Sequence, residues 1–210
     1  MEVKVQLEQL QSTQPDTAGQ VLKLHLGCGP RVLKGWRNMD LNYQHYHHHL
    51  KHYTDKYYPE EMRGDSSDFL AMDLRTGFPF ADNSVDVIFH EDFIEHIDQK
   101  SQVILLAEAW RVLKKGGVHR VNTPNLISSM RDYSDFTKGI KGVYTGEWET
   151  HEHLNVLTQC LLQELALMVG YSKVLFNGRN QSISPLVPLE YRPDPNDRDE
   201  NGNIFADLVK

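Results

Sequence analysis

The chain has 210 residues, a formal net charge of −7, a pI near 5.9 and two cysteines. That length fits one domain burying roughly 70% of its unfolded surface, and the acidic balance argues against a general nucleic-acid binder, which needs clustered Lys and Arg on phosphates. No apolar run nears the roughly 20 residues that cross a membrane. The N-terminus MEVKVQLEQLQSTQPD lacks the apolar core of a signal peptide and the cysteines, Cys28 and Cys160, predict no disulfide, so the expectation is a cytoplasmic protein without a membrane partner.

Residues 1–19 are polar and read as a tail or short capping segment; residues 20–210 read as a single domain. Leu22, Leu24 and Leu26 alternate and predict a strand over 21–26. It runs into Gly27-Cys28-Gly29-Pro30, where the absence of Cβ atoms lets backbone come close to a ligand. A second strand over 36–41 ends in Asp40, and Pro30 to Arg37 is too short for an ordinary crossover helix. Residues 42–66 form a first insertion rich in Tyr and His, with a helix predicted over 43–57 and stopped by Pro59. On that helix His45, His48, His49 and His52 would share a face, but further ligands and a supporting shell are not identifiable, so the run reads as a solvated or lid-forming helix and no metal is assigned.

Strand three, 68–73, ends in Asp73, and strand four spans 85–89, followed by the loop and short helix His90 to Asp98. Asp98 or Ser101 starts a helix with Val103, Leu106, Ala107, Trp110 and Leu113 on its apolar face and Gly116 as its stop. Strand five is Val118 to Asn122, and residues 125–157 are a second insertion without clear periodicity. Thr158 caps a helix bearing Leu161, Leu162, Leu165 and Val169, ended by Gly170. Strand six is 171–176, PDPNDRDENGN is a turn-rich connection, and a last strand runs from Ile204 to Val209. Alternating strands and helices predict an α/β fold, a Rossmann-like doubly wound sheet, with the terminal strands as an antiparallel edge.

In such a sheet ligands bind at the carboxyl ends of the strands. Gly27, Gly29, Asp40 and Asp73 then lie on one rim. Asp40 suits ribose hydroxyls and Asp73 an exocyclic amine such as N6 of adenine, which points to a nucleoside-containing cofactor. Val32 stands where a dinucleotide fingerprint needs its third glycine.

The segments LHLGCGP, NMDL, AMDLRTGFPFADNSVDVIFHEDFIEHI and EAWRVLKKGGVHRVNTPNL together resemble the class I S-adenosylmethionine-dependent methyltransferases. They resemble in particular the small type 11 members, in which EHI follows strand four and LKPGG precedes strand five. The resemblance implies a seven-stranded, mostly parallel sheet with an antiparallel last strand, S-adenosyl-L-methionine as cofactor, and methyl transfer. It implies Gly27 and Gly29 under the methionine and ribose, with His25, Cys28 and Leu41 beside them, Asp40 on the ribose, Asp73 with Leu74 at the adenine, and Phe89, His90 and Glu91 flanking the methionine end. Two departures stand out: His25 occupies the place of a usual acid, and Arg31 that of the third glycine of GxGxG.

Because a sulfonium methyl is already electrophilic, such an enzyme mainly aligns the acceptor, and positioning can supply ~7–11 kcal/mol. A hydroxyl acceptor also benefits from a base, and histidine titrates near neutrality. His90 is assigned as the histidine nearest the methyl, His151 and His153 as acceptor-site residues, His96 as loop packing and His119 as core. The expected reaction is in-line methyl transfer to a small polar acceptor, an oxygen of a sugar or other metabolite. A non-catalytic methyltransferase-fold binding subunit and an aminopropyl-type transferase stay open as alternatives.

Overall fold

A computed structural model describes residues 21–43, 47–128, 144–190 and 202–210. The expected tail (1–19), residues 129–143 of the 125–157 insertion and most of the turn-rich connection fall outside the described residues. β1 (Lys23–Leu26) pairs in parallel with β2 (Arg37–Asp40) on one side and β4 (Val85–Glu91) on the other. β2 continues in parallel to β3 (Phe69–Ala71) and β4 to β5 (Leu113–Pro124). β7 (Asn203–Val209) then inserts antiparallel between β5 and β6 (Lys173–Phe176), giving the order β3-β2-β1-β4-β5-β7-β6. This is the expected seven-stranded sheet with its last strand reversed.

Side chains alternate across the strands. Leu24, Leu26, Met39, Ile88, Val121 and Leu208 enter one core, beneath α1 (Gln99–Val112) and α2 (Gln159–Val169). Each fully buried leucine there contributes about 1.5–3 kcal/mol. Val87 and Phe89 point to the opposite face, where Leu33, Trp36 and Tyr58 cover them. That cover is irregular chain: the short connection from β1 to β2 forms an isolated bridge, Leu33 to Arg63, in place of a helix.

Three expectations change. Among the described residues of 43–57 no α-helix forms; a 3-10 helix spans His47–His52, Tyr57 and Tyr58 N–H donate to Thr54 O in a turn, and a second 3-10 helix spans Glu60–Met62. Tertiary burial overrides the helical reading, because Tyr58 is drawn into the second core with its hydroxyl donating to Val32 O at 2.5 Å. On α1 the buried face is Gln102, Leu105, Leu106, Ala109 and Val112, while Ala107 is exposed. Apolar residues surround this helix, so periodicity alone does not resolve its inner face. Finally, α1 ends before Gly116: Leu113 adopts an extended conformation (ψ 137°) and opens β5, and Lys114 pairs with Asp86 at 2.7 Å. The expected caps hold, with Asp98 accepting from Ser101 N–H and Thr158 from Leu161 N–H.

A buried polar clamp fixes the far side of the sheet. Arg120 donates through Nε and Nη2 to the Glu190 carboxylate at 2.8 Å each and lies 3.3 Å from Asp207. It ties the segment around 177–190 to β5 and β7, and through Leu189 that segment reaches the site described next. Cys28 and Cys160 are free thiols, and among the described residues no helix is long and apolar enough to cross a membrane.

Candidate functional site

The strand order reverses direction between β1 and β4, and a crevice at the carboxyl ends of the strands is the expected consequence. A cavity of about 780 Å³ opens there, within the range of roughly 300–1,000 Å³ typical of small-molecule sites. The turn after β1 supplies His25, Gly27, Cys28 and Gly29; β2 supplies Asp40 and Leu41; the loop after β3 supplies Met72, Asp73, Leu74 and Arg75. Glu91, Asp92, Phe93, His96 and Ile97 follow from β4, with Tyr53, Glu152 and Leu154 closing the rim.

Gly27 and Gly29 both have positive φ, 56° and 51°, a region that costs other residues roughly 1–2 kcal/mol. A Cβ on Gly27 would stand 2.2 Å from the Phe93 ring, whereas one on Gly29 would point into open space. Asp40 holds this turn: its Oδ2 accepts from Gly29 N–H at 2.9 Å and its Oδ1 from Leu41 N–H at 2.7 Å. Each carboxylate oxygen retains a further lone pair for a hydroxyl donor. Asp73 accepts from Arg75 N–H and Nε at 2.9 Å and Nη2 at 2.8 Å, and that hydrogen bonding holds its carboxyl below the usual range.

The two departures in the glycine turn are linked. His25 is buried, its Nδ1 lies 3.1 Å from Asn38 Oδ1, and its ring stacks on Phe89 at 5.0 Å. Burial first, and the Arg31 guanidinium second, push its pKa down to about 3, so it carries no charge. Arg31 is also buried and donates to Glu91 Oε1 at 2.6 Å, Tyr57 O at 2.8 Å and Leu189 O at 2.5 Å. His25 pairs with Phe89 across β1 and β4, so Glu91, two residues on, falls beside Gly27 on the same face. The acid missing from β1 has a counterpart at the end of the adjacent strand.

Nine of the expected cofactor residues line the cavity: His25, Gly27, Cys28, Gly29, Asp40, Leu41, Asp73, Leu74 and Glu91. Phe89 and His90 do not; both are fully buried behind it. His90 packs on His119 at 5.1 Å and Phe93 at 6.0 Å, and burial pushes its pKa down to about 3. The reason is strand alternation: β4 continues through Glu91, so His90 faces the first core. His96, expected to be packing, instead joins His25 in the cavity wall, held below the ordinary histidine pKa by partial burial and by neighbouring His153. His119 is the expected core histidine, with Nδ1 2.8 Å from the Tyr171 hydroxyl.

His151 and His153 are not in the cavity wall, but their rings stack at 5.5 Å and His153 lies 4.8 Å from His96. Glu95, which the sequence offered only with Glu91 and Asp92 as an acid suited to an aminopropyl acceptor, is fully buried beneath this group and accepts from the Thr123 hydroxyl at 2.9 Å. The EHI and HEH segments carried the residue types, but nothing in their separation signals contact.

A methyltransferase-domain family of type 11 matches residues 24–121. A 61-residue stretch is 41% identical to a probable S-adenosylmethionine-dependent methyltransferase of Mycolicibacterium smegmatis, covering 27% of this chain and only 23% of that protein. Among solved structures, an S-adenosylmethionine-dependent methyltransferase of Thermotoga maritima, a possible histamine N-methyltransferase, superposes with TM-score 0.55 at 15% identity, over 97% of this chain and 87% of its own. One from Archaeoglobus fulgidus gives 0.54 at 14% identity, over 99% and 94%. Likeness at this identity establishes the fold.

Proposed function

From a chain whose residues 24–121 belong to the S-adenosylmethionine-dependent methyltransferases, we propose an enzyme that methylates an oxygen of a small polar acceptor, a sugar or similar metabolite. The observation that carries this reading is the convergence of the glycine turn, Asp40, Asp73 and Glu91 from four strand ends on one cavity. S-Adenosyl-L-methionine fits that donor set: it supplies an electrophilic sulfonium methyl with a neutral thioether leaving group. The open space over Gly29 admits the cofactor's approach, Asp40 retains lone pairs for the ribose, and Met72 and Leu74 offer apolar surface to a base. Glu91, held by Arg31, presents a carboxylate to the ammonium of the methionine moiety.

The size of the cavity, which also admits the cofactor, supports a small acceptor, and the net charge of −7 supports an acceptor other than nucleic acid. An oxygen acceptor is supported by His96 in the wall, an imidazole whose pKa is held below the ordinary histidine value first by burial and then by His153. The test is release of S-adenosylhomocysteine against a panel of sugars, hydroxylated metabolites, amines and RNA. A hydroxyl compound should turn over, His96→Ala should lower kcat at least tenfold, and His90→Ala should act chiefly on folding. Turnover confined to amines or RNA, or a larger loss of kcat from His90→Ala, overturns the reading.

A further inference from the structure

We propose that Glu95, His96 and His153 form a binding site for one divalent transition-metal ion of the zinc type, at the cavity wall. Their ligating atoms all lie within 4.8 Å of one another. Zinc bonds of about 2.0–2.2 Å bring tetrahedral ligands to roughly 3.4 Å separation, so the cluster has only to close by about 1.4 Å at its widest, and His96 keeps one side open to solvent.

The other two ligands are already held. Glu95 Oε2 accepts from the Thr123 hydroxyl at 2.9 Å, and its backbone oxygen accepts from Leu154 and Asn155 N–H at 2.8 and 3.1 Å. His153 Nδ1 lies 2.8 Å from Glu147 Oε2, which turns Nε2 toward Glu95 Oε1 at 3.9 Å. A carboxylate on the far nitrogen fixes the tautomer and ring orientation of a metal-ligating histidine. A purely structural ion pair explains Glu147 and His153, but not the approach of Glu95 and His96 to the opposite nitrogen.

Two imidazoles and one carboxylate suit zinc, cobalt, iron or manganese, whereas magnesium and calcium take oxygen ligands. Three protein ligands leave a position open for water or substrate. His96 belongs to the cavity wall, so the ion stands where an acceptor enters. Its role rests on the methyl-transfer reading: the ion binds the acceptor hydroxyl and lowers its pKa, as it lowers that of bound water from 15.7 to about 7. Metal binding itself does not depend on that reading.

The run His45, His47, His48, His49 and His52 would give background binding, so all five are first changed to Ala. Calorimetry with zinc should then show one equivalent bound, and cobalt should give the visible absorption of a four- or five-coordinate site. His96→Ala, at an exposed position, and His153→Ala should each weaken zinc at least 100-fold, and Glu147→Gln about 10–100-fold. His153→Ala and Glu147→Gln, outside the cavity wall, should still bind S-adenosylhomocysteine. No bound equivalent in the five-Ala background, or one that survives both histidine substitutions, overturns the proposal. Zinc binding without S-adenosylhomocysteine binding would instead remove the methyl-transfer reading and leave the metal site standing.

Discussion

Glu91→Gln tests whether the acid at the end of β4 serves in place of the one absent at His25. In the parent, the Glu91 carboxylate accepts from Arg31 at 2.6 Å, with side-chain exposures of 9% and 1%. Removing that acceptor altogether would leave a buried guanidinium uncompensated, at about 3–5 kcal/mol. Glutamine keeps an oxygen for Arg31, so the protein should remain folded with a lowered melting temperature. What it loses is charge toward an ammonium, a charge-assisted hydrogen bond of about 1.5–3 kcal/mol. S-Adenosylhomocysteine should therefore bind roughly 10–150-fold more weakly by calorimetry. 5′-Methylthioadenosine lacks the amino-acid portion and serves as the internal control; its affinity should be unchanged. Equal weakening of both ligands, or of neither, would refute the assignment of Glu91 to the methionine end.

Gly27→Ala should cost more stability than Gly29→Ala, because its Cβ meets the Phe93 ring at 2.2 Å while that of Gly29 meets nothing within 4 Å. Gly29→Ala should instead act mainly on S-adenosylhomocysteine affinity, and thermal melts beside titrations that give the reverse order would contradict the cavity's placement. Stability should also fall in mild acid. His25, His90 and His119 are buried neutral, with His25 and His90 near 3 against an ordinary 6.5. Their folded pKa values are depressed, so the unfolded chain binds the extra protons; their contribution is full above pH 6.5 and is lost as pH falls toward 3. From pH 7.5 to 5.5 the loss is on the order of 1 kcal/mol for each of His25 and His90, and His119 acts in the same direction. Urea midpoints at the two pH values should show it, and His90→Phe should reduce it; an unchanged pH dependence in that variant would count against the assignment.

The glycine turn, Asp40 and Asp73 were legible because each sits at the end of a strand whose alternation is short-range and whose neighbours fix its direction. The strand order and the antiparallel last strand were legible through the resemblance of whole segments. The helix over 43–57 was misread because Tyr58 and Arg63 answer to distant partners, Val32 and Leu33, that no local period encodes. His90 was misplaced by one residue of strand: β4 extends to Glu91, and a shift of one position in a period of two moves a side chain to the other face.

The sequence by itself therefore pointed to a nucleoside-containing cofactor, since a glycine turn and acids at successive strand ends are local features, and the resemblance of whole segments narrowed it to S-adenosylmethionine. Only the tertiary structure decided the rest of the site. Arg31 and Glu91 are brought together across the sheet, and Glu95, His96 and His153 across the loop after β5. Such pairings are set by strand order and chain packing, which act over distances along the chain that periodicity does not reach. The same physics explains an uncharged His25 at that position: it is buried, stacked on Phe89 and within hydrogen-bond distance of Asn38.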